Sequence, residues 1–344
     1  MRVRSFEAFF ILLAIWLCVM FFKRSWNIRQ IRYIKSNDSC MCKSNRSSIS
    51  YDFCYTDPQN TSIIGKKFDC SLLDTLENLN LLGETKEVFS LSNLIQNEND
   101  LIFASATSDD HFNFSMDSFH SIRKYYPNHT YILYGLGLSE YYINSLPDNL
   151  EFRQFNTSGY PSFVNTWMHY NFKPLILAEL LRENPVVWWI DSHLVTIKPN
   201  IIRNMYDDIS TNRLNSNYSS IVSSVLAFHS NFAVLNTDVL GYFPTNSMEL
   251  LKRQRQAGAN NIFVPRTSYT MKIFKWWVLC ALTDDCMSPP GSTTLCEYTS
   301  DNFNNSANCF RYDQSILNIL LLNDFQDSDK FFSSNLENSF YRPL

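Results

Sequence analysis

Pro185-Val186-Val187-Trp188-Trp189-Ile190-Asp191-Ser192-His193-Leu194-Val195 is the stretch that decides the fold. It is short and almost wholly apolar, rich in β-branched and aromatic residues, and it ends in an acid and an imidazole. A run of that length and composition reads as a strand buried on both faces, as in a sheet covered by helices. Open α/β sheets bind ligands beyond the carboxyl ends of their strands. Alternation along a strand points Asp191 and His193 the same way, an oxygen and a nitrogen that suit a divalent cation such as manganese. The plain alternative is that Asp191 caps the following turn and His193 is a surface histidine.

Working outward, the chain of 344 residues can hold one large domain or two ordinary ones. Its 45% hydrophobic and 18% charged composition suits a buried core, and a formal charge of −4 gives no basic face for nucleic acid. Leu101 to Ala106 reads as a strand, and Thr107-Ser108-Asp109-Asp110 is turn and helix-cap chemistry. Phe112, Met116, Phe119, Ile122 and Tyr126 then recur at helical spacing, and Thr130 to Tyr134 is a second strand. Strand, helix and strand within this span make a βαβ unit. Leu150 to Phe155 reads as a marginal strand, Lys173 to Arg182 as the helix feeding the opening stretch, and Ile197 to Met205 as a short helix. Ser220 to Phe228 and Phe232 to Leu235 read as strands, and Met271 to Leu282 as a strongly apolar helix.

Several enzyme classes lose their motifs. Glu140 stands where a dinucleotide fingerprint after Gly135-x-Gly137 needs its third glycine. There is no Gly-x-x-x-x-Gly-Lys phosphate loop, Gly-x-Ser-x-Gly elbow or His-Glu-x-x-His helix. Lys173 lies at a helix start, where the dipole disfavours a cation, so it is either solvated or used on a diphosphate. Asp313 precedes the apolar run Ile316 to Leu322, where it either caps a helix or reaches a cleft as an acceptor-binding group or base.

The amino-terminal region suggests a compartment. Ala8 to Phe22 is a continuous apolar run between Arg2/Arg4 and Lys23/Arg24 with no small-residue cleavage site after it, which reads as an uncleaved signal anchor. The basic residues after it would place the amino terminus outside. Eight cysteines beyond Cys18, in two clusters, and sequons at Asn37, Asn45, Asn60, Asn113, Asn128, Asn156, Asn217 and Asn304 argue instead for a luminal, oxidising setting for the body. The polar, cysteine-bearing segment that follows the anchor reads as a stem containing one or two short helices between Leu72 and Leu94.

From Leu101 to about Asn323 the sequence resembles a nematode-expanded family of uncharacterised glycosyltransferase-like type II membrane proteins. The likeness lies in Ile132 to Leu138, Phe155 to Pro161, Phe172-Lys173-Pro174, Trp188 to Ser192, Trp276 to Leu282 with Cys286, and Cys309 to Ser315. It implies an α/β fold of the glycosyltransferase A type, a Rossmann-like mixed sheet flanked by helices, preceded by a membrane anchor and a cysteine-containing stem. The implied organisation is a cytosolic tail at 1–7, a signal anchor at 8–22, a luminal stem at 23–97 with Cys40, Cys42, Cys54 and Cys70, and the transferase-like domain at 98–344.

The expected activity is transfer of a sugar from a nucleotide donor to a glycan or protein acceptor in the Golgi or endoplasmic reticulum. The resemblance implies that Asp191 and His193 hold a divalent metal, Mn2+, with His193 in place of a second acid. Ala106, Thr107, Ser108, Asp109 and Lys173 would bind the donor, and Asp191 with Asp313 would carry the chemistry. The acid that often reads the nucleoside is replaced by Tyr134-Gly135. A non-catalytic binding protein on the same fold, or a secreted interaction protein with a cleaved amino terminus, are the other readings.

Overall fold

The computed structural model describes residues 40–83, 88–215 and 217–343. The anchor expected at 8–22 and the tail at 1–7 lie outside the described residues. No helix among the described residues is long and apolar enough to cross a membrane.

The sheet is built as the period-two pattern requires. Its strands are β1 (Leu101–Thr107), β2 (Tyr131–Gly135), β3 (Glu151–Gln154), β4 (Val186–Ile190), β6 (Val222–Ser223) and β7 (Asn261–Pro265), with a short β5 (Val195–Thr196) outside it. Their order across the sheet is β3-β2-β1-β4-β7-β6. The pairs β1–β2, β2–β3 and β1–β4 are parallel, whereas β7 runs antiparallel to both β4 and β6. This is an α/β fold with a mixed sheet flanked by helices. Helix α1 (Phe112–Tyr125) links β1 to β2, and α2 (Phe172–Glu183) leads into β4. Helices α3 (Ser268–Ala281) and α4 (Tyr312–Phe325) follow β7.

Each strand sends alternate side chains to opposite faces. Val187 and Trp189 join Ile102, Ala104, Ile132, Ile262 and Val264 in a core shared with α2, α3 and α4. Val186, Trp188 and Ile190 join Leu101, Phe103, Tyr131 and Phe263 in a second core beneath α1. The indole of Trp188 donates to Asn261 Oδ1 at 2.8 Å, which gives a buried N–H its partner.

Residues 40–83 differ from the stem expected there. Two hairpins, Met41–Lys43 with Ser50–Asp52 and Cys54–Thr56 with Ile64–Lys67, place Phe53, Tyr55 and Phe68 in the α2/α3/α4 core. Tyr55 meets Phe243 and Trp276 edge-on, with ring centroids 5.3 and 5.5 Å apart. Residues 40–83 thus share a core with the sheet and the helices that follow it. Two strand expectations also change. Ser220 to Phe228 breaks into Val222–Ser223 and Leu226–Ser230, because Ser223 Oγ takes the Val225 amide and donates to Gly258 O, drawing the backbone off the ladder. Phe232–Val234 is a 3-10 turn, held where the Ala233 amide donates to Ser230 Oγ.

The cysteines pair within their two clusters, as Cys40–Cys54, Cys42–Cys70, Cys280–Cys286 and Cys296–Cys309. All seven described sequon asparagines, 45, 60, 113, 128, 156, 217 and 304, are exposed, whereas Asn171, Asn231, Asn261, Asn318 and Asn323, which are not sequons, are buried.

The two ends of the disulfide set should differ in weight, because the loop-closure entropy removed from the unfolded chain grows with separation. Replacing Cys42 and Cys70, 28 residues apart, by alanine should lower the unfolding free energy more than replacing Cys280 and Cys286, 6 apart. The expected losses are about 3–4 and about 2 kcal/mol, read from urea midpoints.

Candidate functional site

At the carboxyl ends of β1 and β4, where the chain departs to opposite sides of the sheet, three segments enclose a cavity of about 280 Å³. That is the crevice where open α/β sheets take their ligands. The end of β1 and the turn after it contribute Ala106, Thr107, Ser108, Asp110 and His111. The turn after β4 contributes Asp191, Ser192 and His193, beyond Trp189. Trp167, Met168, Tyr170 and Phe172, leading into α2, form an aromatic wall.

The structure thus brings Ala106, Thr107, Ser108, Asp191 and His193 together, as the sequence suggested, with two departures in detail. Asp109 is turned aside, and its Oδ1 accepts the Ser139 amide at 2.8 Å, tying the turn after β1 to the one after β2. Asp191 and His193 share the cavity, but not through strand alternation. The strand ends at Ile190, and Leu194 N donates to Asp191 O at 3.0 Å, closing a turn that carries His193. Burial holds the His193 imidazole below the usual histidine range, with Arg342, Lys173 and His111 adding to the shift and Asp191 opposing it. Asp110 is held below the usual carboxylate range, chiefly by the hydrogen bond from Ser108 Oγ at 2.5 Å and then by His111 Nδ1, 3.0 Å away.

Beneath this cavity lies a buried ionic cluster. Lys173, in the first turn of α2, is 2% exposed. Its Nζ lies 3.0 Å from Asp191 Oδ1, 2.8 Å from Asp313 Oδ2 and 3.1 Å from the Ala259 carbonyl. The Asp313 contact is an ion pair; Asp313 Oδ2 takes no hydrogen bond. Burial opposes the charge on Lys173, but the two carboxylates outweigh it and hold the ammonium above the usual lysine range. Burial pushes Asp313 up, against the pull of Lys173. Trp189 Nε1 completes the cluster by donating to Asp191 Oδ1 at 2.6 Å.

Two sequence expectations change here. Lys173 donates to Asp191 and the Ala259 carbonyl and is ion-paired with Asp313, and at 2% exposed it does not line the cavity where a diphosphate would lie. Asp313, only 4% exposed, is a partner of Lys173 and does not line the cavity or face an acceptor. Backbone strain sits at both ends of the cluster. Tyr170 (φ 57°), three residues before Lys173, and Tyr312 (φ 38°), next to Asp313, occupy the left-handed region that costs a bulky residue about 1–3 kcal/mol. Their rings approach to 6.0 Å, and His169 stacks on Tyr312 at 5.7 Å.

Among the described residues, the one trio of ligand-type side chains within 4.8 Å of one another is Cys40, Asp52 and Cys54, and the two cysteines are joined as a disulfide, which leaves no thiolate. Asp191 already carries Lys173 and Trp189, and among the described residues no third acid, cysteine or histidine forms a ligand group with it and His193. These residues do not fit a resident cation.

Residues 40–178 match the family described as "Protein of unknown function (DUF1647)". No curated protein matches the chain. Among solved structures it is similar to the galactosyltransferase LgtC in complex with donor and acceptor sugar analogs, at 13% identity and a TM-score of 0.35 over 64% of this chain and 70% of that one. It is similar to the mannosyltransferase Ktr4p of S. cerevisiae at 12% identity and a TM-score of 0.39, over 74% and 76%. The bifunctional glycosyltransferase WbbM matches at 15% identity and 0.36, over 60% and 38%. At these scores the likeness carries no inference about chemistry.

Two outcomes follow from the buried groups. Lys173→Met leaves two carboxylates facing each other without a cation and should cost about 3–5 kcal/mol, and adding Asp313→Asn should recover part of that loss in denaturant titrations. As pH falls below about 6.5, the unfolded chain protonates its histidines before the native state protonates His193, so stability should fall with pH. His129 and His229, also lowered by burial, act in the same direction, so His193→Gln should make that slope shallower without abolishing it.

Proposed function

We propose that the cavity binds a nucleotide sugar and that the chain is a glycosyltransferase, moving the sugar to a glycan or protein acceptor. The observation that carries this reading is the convergence of the turns after β1 and β4 on one aromatic-walled cavity where the sheet's connections diverge. Trp167 and Tyr170 offer flat faces to a base or a sugar ring. Ser108 and the ionised Asp110 offer acceptors to ribose hydroxyls. Asp191, its side chain 15% exposed and oriented by Lys173 and Trp189, presents its open edge to the sugar.

The secretory pathway is part of the same proposal, with residues 8–22 as the anchor and the described body in the lumen. Four disulfides and seven exposed sequon asparagines support it. A second reading, a binding protein that keeps the cavity without turnover, is favoured by one feature: the acid at the cavity floor is already neutralised by a buried lysine.

A screen of nucleotide sugars with the full chain tests both. The first reading expects release or transfer of sugar from at least one donor, lost about 100-fold or more in Asp191→Asn with little change in Tm. Tight donor binding without turnover would leave the second reading standing, and neither binding nor turnover would remove both.

A further inference from the structure

The first turn of α1 brings a sequon to the edge of the cavity. Asn113-Phe114-Ser115 has the pattern of an N-glycosylation acceptor, and Asn113 and Phe114 are both exposed. The turn follows directly on Asp110 and His111, which line the cavity beyond the end of β1. Side chains on a helix lean towards its amino terminus, so those of the first turn lie over the turn before it. Phe114 shows this lean: its ring, on a residue 40% exposed, has its centroid 6.4 Å from that of His111. Asn113 leans the same way along the axis. It follows Asp110 by three residues, the spacing that sets side chains one above the other on a helical turn.

We propose that Asn113 carries an N-linked glycan that stands at the mouth of the cavity, covers Phe114 and narrows the approach to the aromatic wall. This rests on the luminal placement proposed above, where the sugar donor is a lipid-diphosphate-linked oligosaccharide. Asn113 Nδ2 forms the bond to C1 of the first sugar. C1 parts from the phosphate oxygen, which keeps the bonding pair, and the amide gives up one proton. The modification belongs to the chain before it folds. In the folded protein Ser115, the third residue of the sequon, is fully buried and its Oγ donates to the His111 carbonyl at 3.1 Å, out of reach of a transferase. Once attached, the glycan takes the exposed Phe114 ring out of water, since sugar rings carry apolar C–H faces.

The test uses the full chain from a host that glycosylates in its secretory pathway. Peptide mapping after amidase release, which converts a glycan-bearing asparagine to aspartate, should find Asn113 modified. Asn113→Gln should lose the mass of a single glycan. Its tryptophan emission should be quenched more strongly by acrylamide than that of the wild type, because Trp167 lines the cavity and is less buried than Trp188, Trp189, Trp276 and Trp277. In a Trp167→Phe background the two chains should be quenched alike. The other sequon beside the wall is Asn156, which follows Phe155, whose ring lies 6.2 Å from that of Trp167. Should Asn113→Gln not be secreted, an Asn156→Gln chain gives the same comparison before and after endoglycosidase trimming of the folded protein. An unmodified Asn113 on a chain glycosylated elsewhere overturns the proposal and leaves the luminal placement standing. A chain without a glycan at any sequon removes both. Modification of Asn113 with quenching indifferent to loss of the glycan also overturns the proposal. None of these outcomes bears on the nucleotide-sugar reading, which the donor screen decides.

Discussion

Lys173 joins parts of the chain that are far apart in sequence. Its ammonium fastens the first turn of α2 to Asp191 at the end of β4, to Asp313 at the start of α4, and to Ala259 just before β7. An unpaired charge at that depth would be costly by several kcal/mol, so the four segments must arrive together or the cluster is a liability. The strained Tyr170 and Tyr312 flank it on two of those segments. Non-glycine residues stay in the left-handed region only where their surroundings over-determine them, and here packing and charge do so. The floor of the cavity is therefore among the most constrained parts of the molecule, although it lies between loops.

Much of the fold was legible because it rests on local periodicity. The apolar run Val186 to Ile190, the helical spacing from Phe112 to Tyr126 and the marginal strand from Leu150 to Phe155 have boundaries close to those observed. The turn after β1, expected near the donor from the family resemblance, lines the same cavity as Asp191. What failed is what local pattern cannot carry. Phe53, Tyr55 and Phe68 are scattered among polar residues and show no period, so nothing local announced that they complete a core with Trp276. Lys173 and Asp313 looked like free charged groups because their partners are remote. The aromatic wall of Trp167, Tyr170 and Phe172 was missed for lack of period, although the crowding of aromatics just before Lys173-Pro174 was a signal that could have been used.

Aspartate at the end of a buried strand has more than one use, and the structure separates two of them. As a metal ligand Asp191 would need its oxygens free and further ligands beside it. As a hydrogen-bonding group it needs to be oriented, and the Trp189 indole and the Lys173 ammonium do that. The exchange of an expected second acid for His193 fits the latter, since a neutral imidazole adds no negative charge to a cavity already lined by Asp110 and Asp191.

The four disulfides share a property that bears on how the protein is made. They join cysteines only 14, 28, 6 and 13 residues apart, and none crosses between the two clusters. Each can therefore close as soon as its own segment has been synthesised, without waiting for a distant partner. The cysteines of Cys40 to Cys70 can all pair before Phe243 and Trp276, the aromatics the hairpins rest on, have been synthesised. Correct pairing is then a matter of proximity in time along the growing chain, and little is left for later reshuffling to repair.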